Sequence, residues 1–427
     1  MTSSAAPTKL PVSPEDLSAR PGPPKLGHFF RTSLYFGAIG FGGGLSVLAS
    51  IRTALVDRKH WVTEEDFDRN ATVAQMLPGG ASSNLLAALG LRFHGIYGAL
   101  AGYLGFILPG TLCILALAWT YRRFGGVPQA DALLAGFNAA VVGIIASITI
   151  KMVKTSIAHL WQMGIAAVAL FLSLAGGASS GEVALMGIAA GLMLDLGYER
   201  ARRLRLGLKK APDPVALPNE GNPLPPTLLK SSALATVFGL AAAGAVLHRA
   251  GADVELLQMG AVFFRTGLGA YGGGFATIPS LQAEVHAHGW LTDRQFADAV
   301  AVGKLTPGPV LLMATFVGFL QGGVLGALVA TVAIMAAPFL VVVALSRWLE
   351  KLKGHRWVLA ALRGLTPAVV GLMAAAALSL GRTTHSGAGL SIAVVVALTL
   401  GRFDINPVIL LVAAGAVRVG LSHLGGF

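Results

Sequence analysis

The hydrophobic residues of this chain are gathered in long windows that contain no charged side chain. Ten such windows occupy residues 71–91, 93–121, 132–150, 155–181, 231–248, 266–283, 305–346, 364–381, 383–401 and 405–417. A helix that spans a membrane needs about 20 mostly apolar residues, and most of these windows are near that length. The window 305–346 is long enough for two helices, with a turn predicted at Gly322 and Gly323. The pattern therefore predicts an all-α polytopic membrane protein.

These windows, together with the less apolar residues 27–44, predict about 13 transmembrane helices. Six fall in residues 27–197 and seven in residues 228–422. Between them, residues 198–230 are basic at first and rich in proline later, which is typical of a linker. Residues 1–26 are rich in Pro, Ser and Ala and contain no apolar signal-peptide region, so we expect a disordered tail.

The two halves of the chain repeat one another. Four segments of the first half recur 228 to 230 residues later: Phe41-Gly42-Gly43-Gly44 as Tyr271-Gly272-Gly273-Gly274, Trp61-Val62-Thr63 as Trp290-Leu291-Thr292, Leu77-Pro78-Gly79-Gly80 as Thr306-Pro307-Gly308-Pro309, and the GFNAAVVG of 136–143 as the GLTPAVVG of 364–371. Chance similarity between apolar segments would not hold one register over such a distance. The sequence therefore predicts a tandem duplication, with repeats at 27–197 and 253–422 and an extra helix at 231–252.

Composition supports a membrane protein and disfavours other classes. Only 12% of the 427 residues are charged, about half of the roughly 25% found in soluble domains. The net charge is +12, yet so apolar a chain lacks the polar scaffold of a nucleic-acid-binding protein. Cys113 is the single cysteine, which leaves no intramolecular disulfide and no cysteine-based metal site. Because no ATPase or hydrolase motif is present, we expect no enzyme, no cofactor and no metal.

The basic excess predicts how the chain is oriented. It lies in residues 1–31 (net +2), in Lys151 with Lys154 (+2), in residues 199–230 (+4) and in residues 347–363 (+4). Cytoplasmic loops carry an excess of Lys and Arg. If the N-terminus is cytoplasmic, six helices return the linker to the cytoplasm, and the extra helix starts the second repeat on the opposite side. All four basic segments are then cytoplasmic, and the two repeats are inverted, which is a transporter architecture.

Each repeat contains three consecutive glycines: Gly42, Gly43 and Gly44 in the first, and Gly272, Gly273 and Gly274 in the second. Each glycine costs about 1 kcal/mol in a helix interior, so we expect the helix to break at these positions. Non-helical backbone at membrane depth is tolerated where it lines a cavity or is buried in protein. Close helix packing through small residues is the alternative interpretation.

A second pair of helix breaks is predicted at the proline motifs. The candidate residues are Gln75, Pro78, Gly79 and Gly80 in the first repeat, and Lys304, Thr306, Pro307, Gly308 and Pro309 in the second. A half-helix that starts after such a proline would present free N–H groups to an anion. A simple proline kink between two helices is the alternative.

Two cations accompany these breaks. Lys304 is the only charged residue between positions 299 and 346, and Arg265 lies seven residues before Gly272. A buried cation costs several kcal/mol or more unless it has a partner. We expect that partner to be a nearby carboxylate, such as Asp298, or an anionic substrate. Snorkelling of the two side chains to the lipid headgroups is the alternative.

These paired motifs resemble those of the chromate transporter (CHR) family. The matching segments are FGGG, WVT and QMLPGG in the first repeat, and YGGG, WLT and KLTPGP in the second. The resemblance covers roughly residues 28–420, so the chain resembles the long, two-domain form of the family. It implies a protein of the bacterial plasma (inner) membrane that exports chromate and confers chromate resistance, with sulfate as a competing dianion.

The chain departs from the family pattern mainly in its first repeat. The family commonly has Pro-Gly-Pro in both repeats, whereas residues 78–80 are Pro-Gly-Gly. The family often has a basic residue two positions before the glycine of the first helix; this residue is present as Arg265 in the second repeat, but the first repeat has Tyr35. At the position of Lys304, glutamine is the commoner family residue. The positive charge near the breaks is thus concentrated in the second repeat.

The expected function is chromate efflux by alternating access, with the dianion between the glycine triplets and the proline motifs, and with Arg265 and Lys304 supplying positive charge. Expelling an anion from a negative interior gains about 2.3 kcal/mol per charge per 100 mV, so export can run on membrane potential, with or without a proton gradient. A sulfate or other tetrahedral oxyanion carrier is the first alternative. An anion channel or a non-transporting membrane protein is the second. The lipid bilayer is the other expected partner, and the sequence makes no prediction of oligomeric state.

Overall fold

The computed structural model describes residues 23–41, 44–125, 127–175, 178–206, 254–352, 356–384, 386–403 and 405–423. Across these ranges the regular secondary structure is helical and contains no strand. Most of the predicted tail and linker and all of the predicted extra helix lie outside the described residues.

The first repeat forms α1 (Leu26–Ile39), α2 (Gly44–Arg52), α3 (Glu64–Met76), α4 (Ala81–Phe124), α5 (Pro128–Ser156), α6 (Leu160–Leu174) and α7 (Ser180–Leu206). A π-helical turn, Thr53–Arg58, extends α2. The second repeat forms α8 (Val254–Leu268), α9 (Ile278–Ala287), α10 (Asp293–Leu305), α11 (Met313–Leu352), α12 (Arg356–Arg382), α13 (Gly387–Arg402) and α14 (Pro407–His423). Two short 3₁₀ helices, Gly272–Thr277 and Val310–Leu312, precede α9 and α11.

Helix length and composition define a protein that crosses a membrane several times. Four segments are long and apolar enough to span a bilayer: Ala81–Phe124, Pro128–Ser156, Val310–Leu345 and Trp357–Arg382. Shorter apolar helices are Leu160–Leu174, Ser180–Leu194, Gly387–Arg402 and Pro407–His423. The predicted all-α polytopic fold is confirmed at this level.

Three predicted spans are wrong as single helices. Residues 27–44 are interrupted after Ile39, residues 71–91 are divided between α3 and α4, and residues 266–283 are divided between α8 and α9. In the second and third of these spans, the break contains a glycine whose backbone is not helical. Both Gly79 and Gly272 have positive φ angles, which side-chain-bearing residues rarely adopt. A count of uncharged windows does not register these interruptions.

Helices α4 and α11 each contain a reversal of the chain. The helix of α4 is broken at His94 and Gly95, which divides it into a first arm (residues 81–93) and a second arm (residues 96–124). The two arms run antiparallel and in close contact. Gly90 lies against the backbone of Gly98, and Leu86, one turn earlier, lies against Gly102, about one turn later. In α11 the same reversal occurs at Gly322 and Gly323, so the turn predicted there is confirmed.

The Trp-x-Thr motifs mark the start of a short helical hairpin in each repeat. Thr63 is the N-cap of α3 and Thr292 is the N-cap of α10, and each accepts a hydrogen bond from the backbone in the first turn. Each helix then turns back through the proline motif into the first arm of α4 or α11. Both helices have 13 residues, roughly 20 Å, which is shorter than the hydrocarbon core of about 30 Å.

In the first hairpin, antiparallel contacts hold the two helices together. At its base, Arg92 Nη2 lies 2.9 Å from Asp66 Oδ2. Near its turn, Asn84 Nδ2 donates hydrogen bonds to the carbonyls of Ala74 and Pro78, at 3.2 and 2.9 Å. In the second hairpin, Gly303 of α10 packs closely on Met313 of α11, since a Cβ on Gly303 would lie 3.0 Å from Cβ of Met313.

The last two helices of each repeat pack on the other repeat. Helix α5 contacts α13 and α14, whereas its counterpart α12 contacts α6 and α7. The repeated GxxxxxxG segments form these contacts: Gly136 lies against Ala414, and Gly364 lies against Gly187. Small residues allow such close approach of helix backbones. The two repeats therefore interlock and do not form separate bodies.

Candidate functional site

The turns of the two hairpins meet at the centre of the protein. We call residues 77–80 the first tip and residues 306–309 the second tip. A Cβ placed on Gly80 would lie 3.1 Å from Cβ of Pro309, so the tips are in direct contact. The structure thus brings together the proline motifs that the sequence singled out 229 residues apart.

Each tip is also bonded to the glycine segment of the opposite repeat. The N–H of Gly79 donates to the carbonyl of Ala270 at 2.7 Å, and the N–H of Gly308 donates to the carbonyl of Gly40 at 3.3 Å. Ala270 and Gly40 stand at equivalent positions, just before the two YGGG and FGGG motifs. The two hydrogen bonds are therefore reciprocal between the two repeats, and they connect the four segments in which the sequence predicts helix breaks.

The second arm of α4 shows how the hairpins approach this centre. Gly98 packs against the first hairpin near its base, Gly110 packs against the carbonyl of Pro307 in the second tip, and Tyr121 contacts Phe316 beyond that tip. Moving along this one helix, the chain passes the base of the first hairpin, then the two tips, and then the body of the second hairpin. The two hairpins thus reach the centre from opposite ends of the second arm of α4.

The second glycine triplet has a backbone that other residues rarely adopt. Gly272, Gly273 and Gly274 have φ angles of 66°, 72° and 92°. Gly274 is buried against Leu311, while a Cβ on Gly273 would meet no atom within 4 Å. In the first repeat, Gly44 begins α2, and Gly42 and Gly43 lie outside the described residues.

A substitution at Gly273 would strain the backbone without causing a steric overlap, so it tests the conformation of this loop specifically. We expect Gly273→Ala to destabilise the protein by about 1–2 kcal/mol, because the left-handed conformation is strained for a side-chain-bearing residue even where space is free. Thermal unfolding of the purified protein measures this change. Gly387→Ala, at the start of α13 and also in open space, is the control and should not lower stability. Equal unfolding temperatures for both variants would contradict the role of the loop conformation.

Lys304 is the buried cation of this centre. Its side chain is 7% exposed, and its Nζ lies 5.1 Å from the ring centroid of Phe275, directly after the glycine triplet. Within the described part of the chain, it has no ion-pair or hydrogen-bond partner. The cation–π contact with Phe275 compensates only part of the cost of burial. An anion at the tips would supply the remaining charge.

The other predicted cation lies elsewhere. Arg265 is ion-paired with Glu284 of α9, and its side chain is 62% exposed. Among the described residues, no contact connects it to either tip. Gln75, the counterpart of Lys304, is exposed and donates a hydrogen bond to the carbonyl of Ala71 at 3.1 Å. The structure therefore brings Lys304, but not Arg265, to the tips.

The sequence predicts Asp298 as a possible partner of Lys304, but in the structure Asp298 has other partners. Its carboxyl is 1% exposed and accepts hydrogen bonds from Tyr121 and Asn138, both in the first repeat. The sequence did not single out Tyr121, Asn138 or Phe275. One signal was available, since Asn138 lies inside the repeated GFNAAVVG segment.

A polytopic helical protein whose broken helices meet at its centre, beside a buried cation, has the architecture of a secondary transporter. Comparison with known proteins agrees with this class. The model of the family described as "Chromate transporter" matches residues 27–194 and 257–419. The chain belongs to the chromate transporter family.

Several curated relatives cover most of the chain. It is 32% identical over 354 residues to the chromate transport protein of Cupriavidus metallidurans, which covers 82% of this chain and 81% of that protein. It is 31% identical over 351 residues to a probable chromate transport protein of Synechococcus elongatus, covering 82% and 83%. A chromate transport protein of Pseudomonas aeruginosa is 28% identical over 379 residues, covering 88% and 86%. No solved structure gives a significant match.

Proposed function

We propose that this protein transports chromate across the bacterial inner membrane, from the cytoplasm outward. The observation that carries the proposal is a buried lysine without an anionic partner among the described residues, placed where two helix breaks meet. A dianion bound there would neutralise the lysine. Membership of the chromate transporter family and the names of the relatives make chromate the first candidate for that dianion.

The anion site would be formed by the two tips, the glycine loops and Lys304. The first turn of α4 begins directly after Gly80, which provides no side-chain cap, so the partial positive charge of this helix N-terminus would face an oxyanion at the tips. Pro309 has the same position before the 3₁₀ helix of the second repeat. Gly79 and Gly308 belong to this site through their backbone, because their N–H groups hold the tips in place.

The two repeats would be inverted in the membrane, with the N-terminus in the cytoplasm. Support comes from the approach of the hairpins to the tips from opposite ends of the second arm of α4, since inverted repeats place equivalent re-entrant segments on opposite sides. The four basic segments point to the same orientation. The two family-model matches, 27–194 and 257–419, support repeat boundaries near 27–197 and 253–422.

Alternating access would open the tips to one side at a time. Among the described residues, each tip has one backbone hydrogen bond to the opposite repeat, so movement of one hairpin would change the contacts of both. Export of a dianion is favoured by the membrane potential, by about 2.3 kcal/mol per charge per 100 mV. The result for the cell would be chromate resistance.

Flux measurements in everted membrane vesicles test this function. We expect energised vesicles that contain the protein to accumulate chromate, with saturation kinetics and counterflow, and vesicles without it to accumulate none. A sensitive host that expresses the chain should also hold less chromate. Saturable uptake of sulfate with no effect of chromate would instead identify a sulfate carrier. Flux that neither saturates nor shows counterflow would identify a channel, and no flux of either anion would reject transport.

A further inference from the structure

The Asp298 carboxyl is a buried acidic group that the proposed anion site does not use. It lies on α10, six residues before Lys304, and is 1% exposed. Six residues correspond to roughly 9 Å along a helix and about 240° around it, so the two side chains leave α10 on different faces. Asp298 is therefore not a direct partner of the lysine, although the same helix carries both.

Neutral donors from the other repeat surround this carboxyl. Tyr121 Oη donates to Oδ2 at 2.9 Å, and Asn138 Nδ2 donates to Oδ1 at 2.7 Å. The nearest cation on α10, Arg294, is ion-paired with Asp131 of α5 at 2.7 Å, toward the exposed end of the helix. Helices α9, α11 and α14, which also contact α10, bring no described titratable side chain within ion-pair distance of Asp298. A buried carboxylate with neutral partners alone is costly, and the neutral acid removes that cost.

The Asn138 amide can hydrogen-bond to Asp298 in both protonation states of that carboxyl. In the structure its Oδ1 is buried and has no hydrogen-bond partner. A protonated carboxyl needs an acceptor for its O–H, whereas a carboxylate needs donors. Rotation of the Asn138 amide by half a turn replaces its N–H with Oδ1 at the carboxyl. The same pair of side chains can therefore bond the ionised and the neutral form of Asp298.

We propose that Asp298 binds a proton, and that this protonation is linked to anion binding at the tips. The inference rests on the proposed anion site at Lys304. One proton from solution joins the carboxylate and no other bond changes. Because protonation removes a negative charge about 9 Å along the helix from Lys304, it strengthens anion binding there. By reciprocity, a bound anion promotes proton uptake.

Chromate binding by the purified protein, measured from mildly acidic to mildly alkaline pH, tests this linkage. Chromate protonates in the same range, so the informative quantity is the ratio of the wild-type and Asp298→Asn affinities at each pH. We expect the variant to bind roughly tenfold more tightly than wild type at the alkaline end, and the two to converge at the acidic end. In weak buffer, chromate should cause proton uptake by the wild type beyond that of the variant.

Tyr121→Phe provides a second test that does not depend on the folding of Asp298→Asn. Loss of one donor to the ionised carboxyl should move the midpoint of the pH dependence to higher pH and retain the proton uptake. A purely structural role of the cluster predicts lower stability with an unchanged midpoint, and that result would overturn the proposal. Binding that depends on sodium at constant pH would also overturn it, in favour of a metal cation. If wild type binds no chromate at any pH, the proposed function fails instead.

Discussion

Lys304→Gln is expected to reduce chromate transport by roughly a thousandfold, since a charge pair about 4 Å apart contributes about 4 kcal/mol near a protein surface and about 1.4 kcal/mol corresponds to a factor of ten in rate. The variant retains a polar side chain of similar reach and removes only the charge. Because Lys304 has no anionic partner among the described residues, its loss leaves no opposite charge unpaired there. Initial rates in everted vesicles, normalised to the amount of protein in the membrane, measure the effect.

Lys59→Gln is the matched control for this experiment. Lys59 Nζ also lies over an aromatic ring, 4.7 Å from the centroid of Trp61. Lys59 directly follows the π-helical turn after α2, however, and its Nζ lies beside His28. Its neutralisation should leave transport near the wild-type rate. Lys304→Arg keeps the charge and should retain more activity than Lys304→Gln. Wild-type transport by Lys304→Gln at normal expression would remove the lysine from the anion site.

Gly364→Ala is expected to destabilise the protein by about 3 kcal/mol or more, at or above the upper range for an overpacked core. Gly364 of α12 faces α7, and a Cβ there would lie 2.5 Å from Cα and 2.6 Å from the backbone nitrogen of Gly191. Backbone atoms cannot rotate away as a side chain can. The two interlocked repeats would have to separate. Thermal unfolding in detergent and the yield of monodisperse protein measure the effect.

Gly381→Ala, on the same helix, is the control for this prediction. A Cβ there would meet only Cγ1 of Val142, at an ordinary distance of 3.7 Å. Since alanine favours a helix over glycine by about 1 kcal/mol, Gly381→Ala should be neutral or stabilising. Gly136→Ala, the counterpart of Gly364→Ala in the first repeat, should destabilise in the same way. Similar unfolding temperatures for Gly364→Ala and Gly381→Ala would disprove the close packing of α12 on α7.

The extent to which the site could be predicted differs between its residues. The proline motifs and the glycine triplets were found because they recur, and the positive φ angles of Gly79 and Gly272 explain the need for glycine. Lys304 was found because it interrupts a long uncharged stretch. Arg265 was chosen because it lies seven residues before Gly272, yet the structure pairs it with Glu284, 19 residues later. Charge in an apolar segment marks a candidate without showing what neutralises it.

The fold was predictable in class and less so in arrangement. Uncharged windows correctly predicted a polytopic helical protein and the turn at Gly322 and Gly323. They failed at residues 71–91, because the uncharged end of α3 and the apolar first arm of α4 together make one uncharged window of spanning length. The capping threonines at 63 and 292 were visible in the sequence, and they mark where these hairpins begin.

By itself, the sequence determined that the chain is an apolar, duplicated membrane protein with breaks at matched positions. These features can be read along the chain, since hydropathy, glycine or proline content and the recurrence of motifs do not depend on how the helices pack. Only the tertiary structure decided that the two tips touch, that each is bonded to the glycine segment of the other repeat, and that Asp298 contacts Tyr121 and Asn138. Those contacts join residues more than 150 positions apart, and they depend on how apolar helices pack on one another. The sequence does not determine this packing, because the hydrophobic faces of the helices are similar.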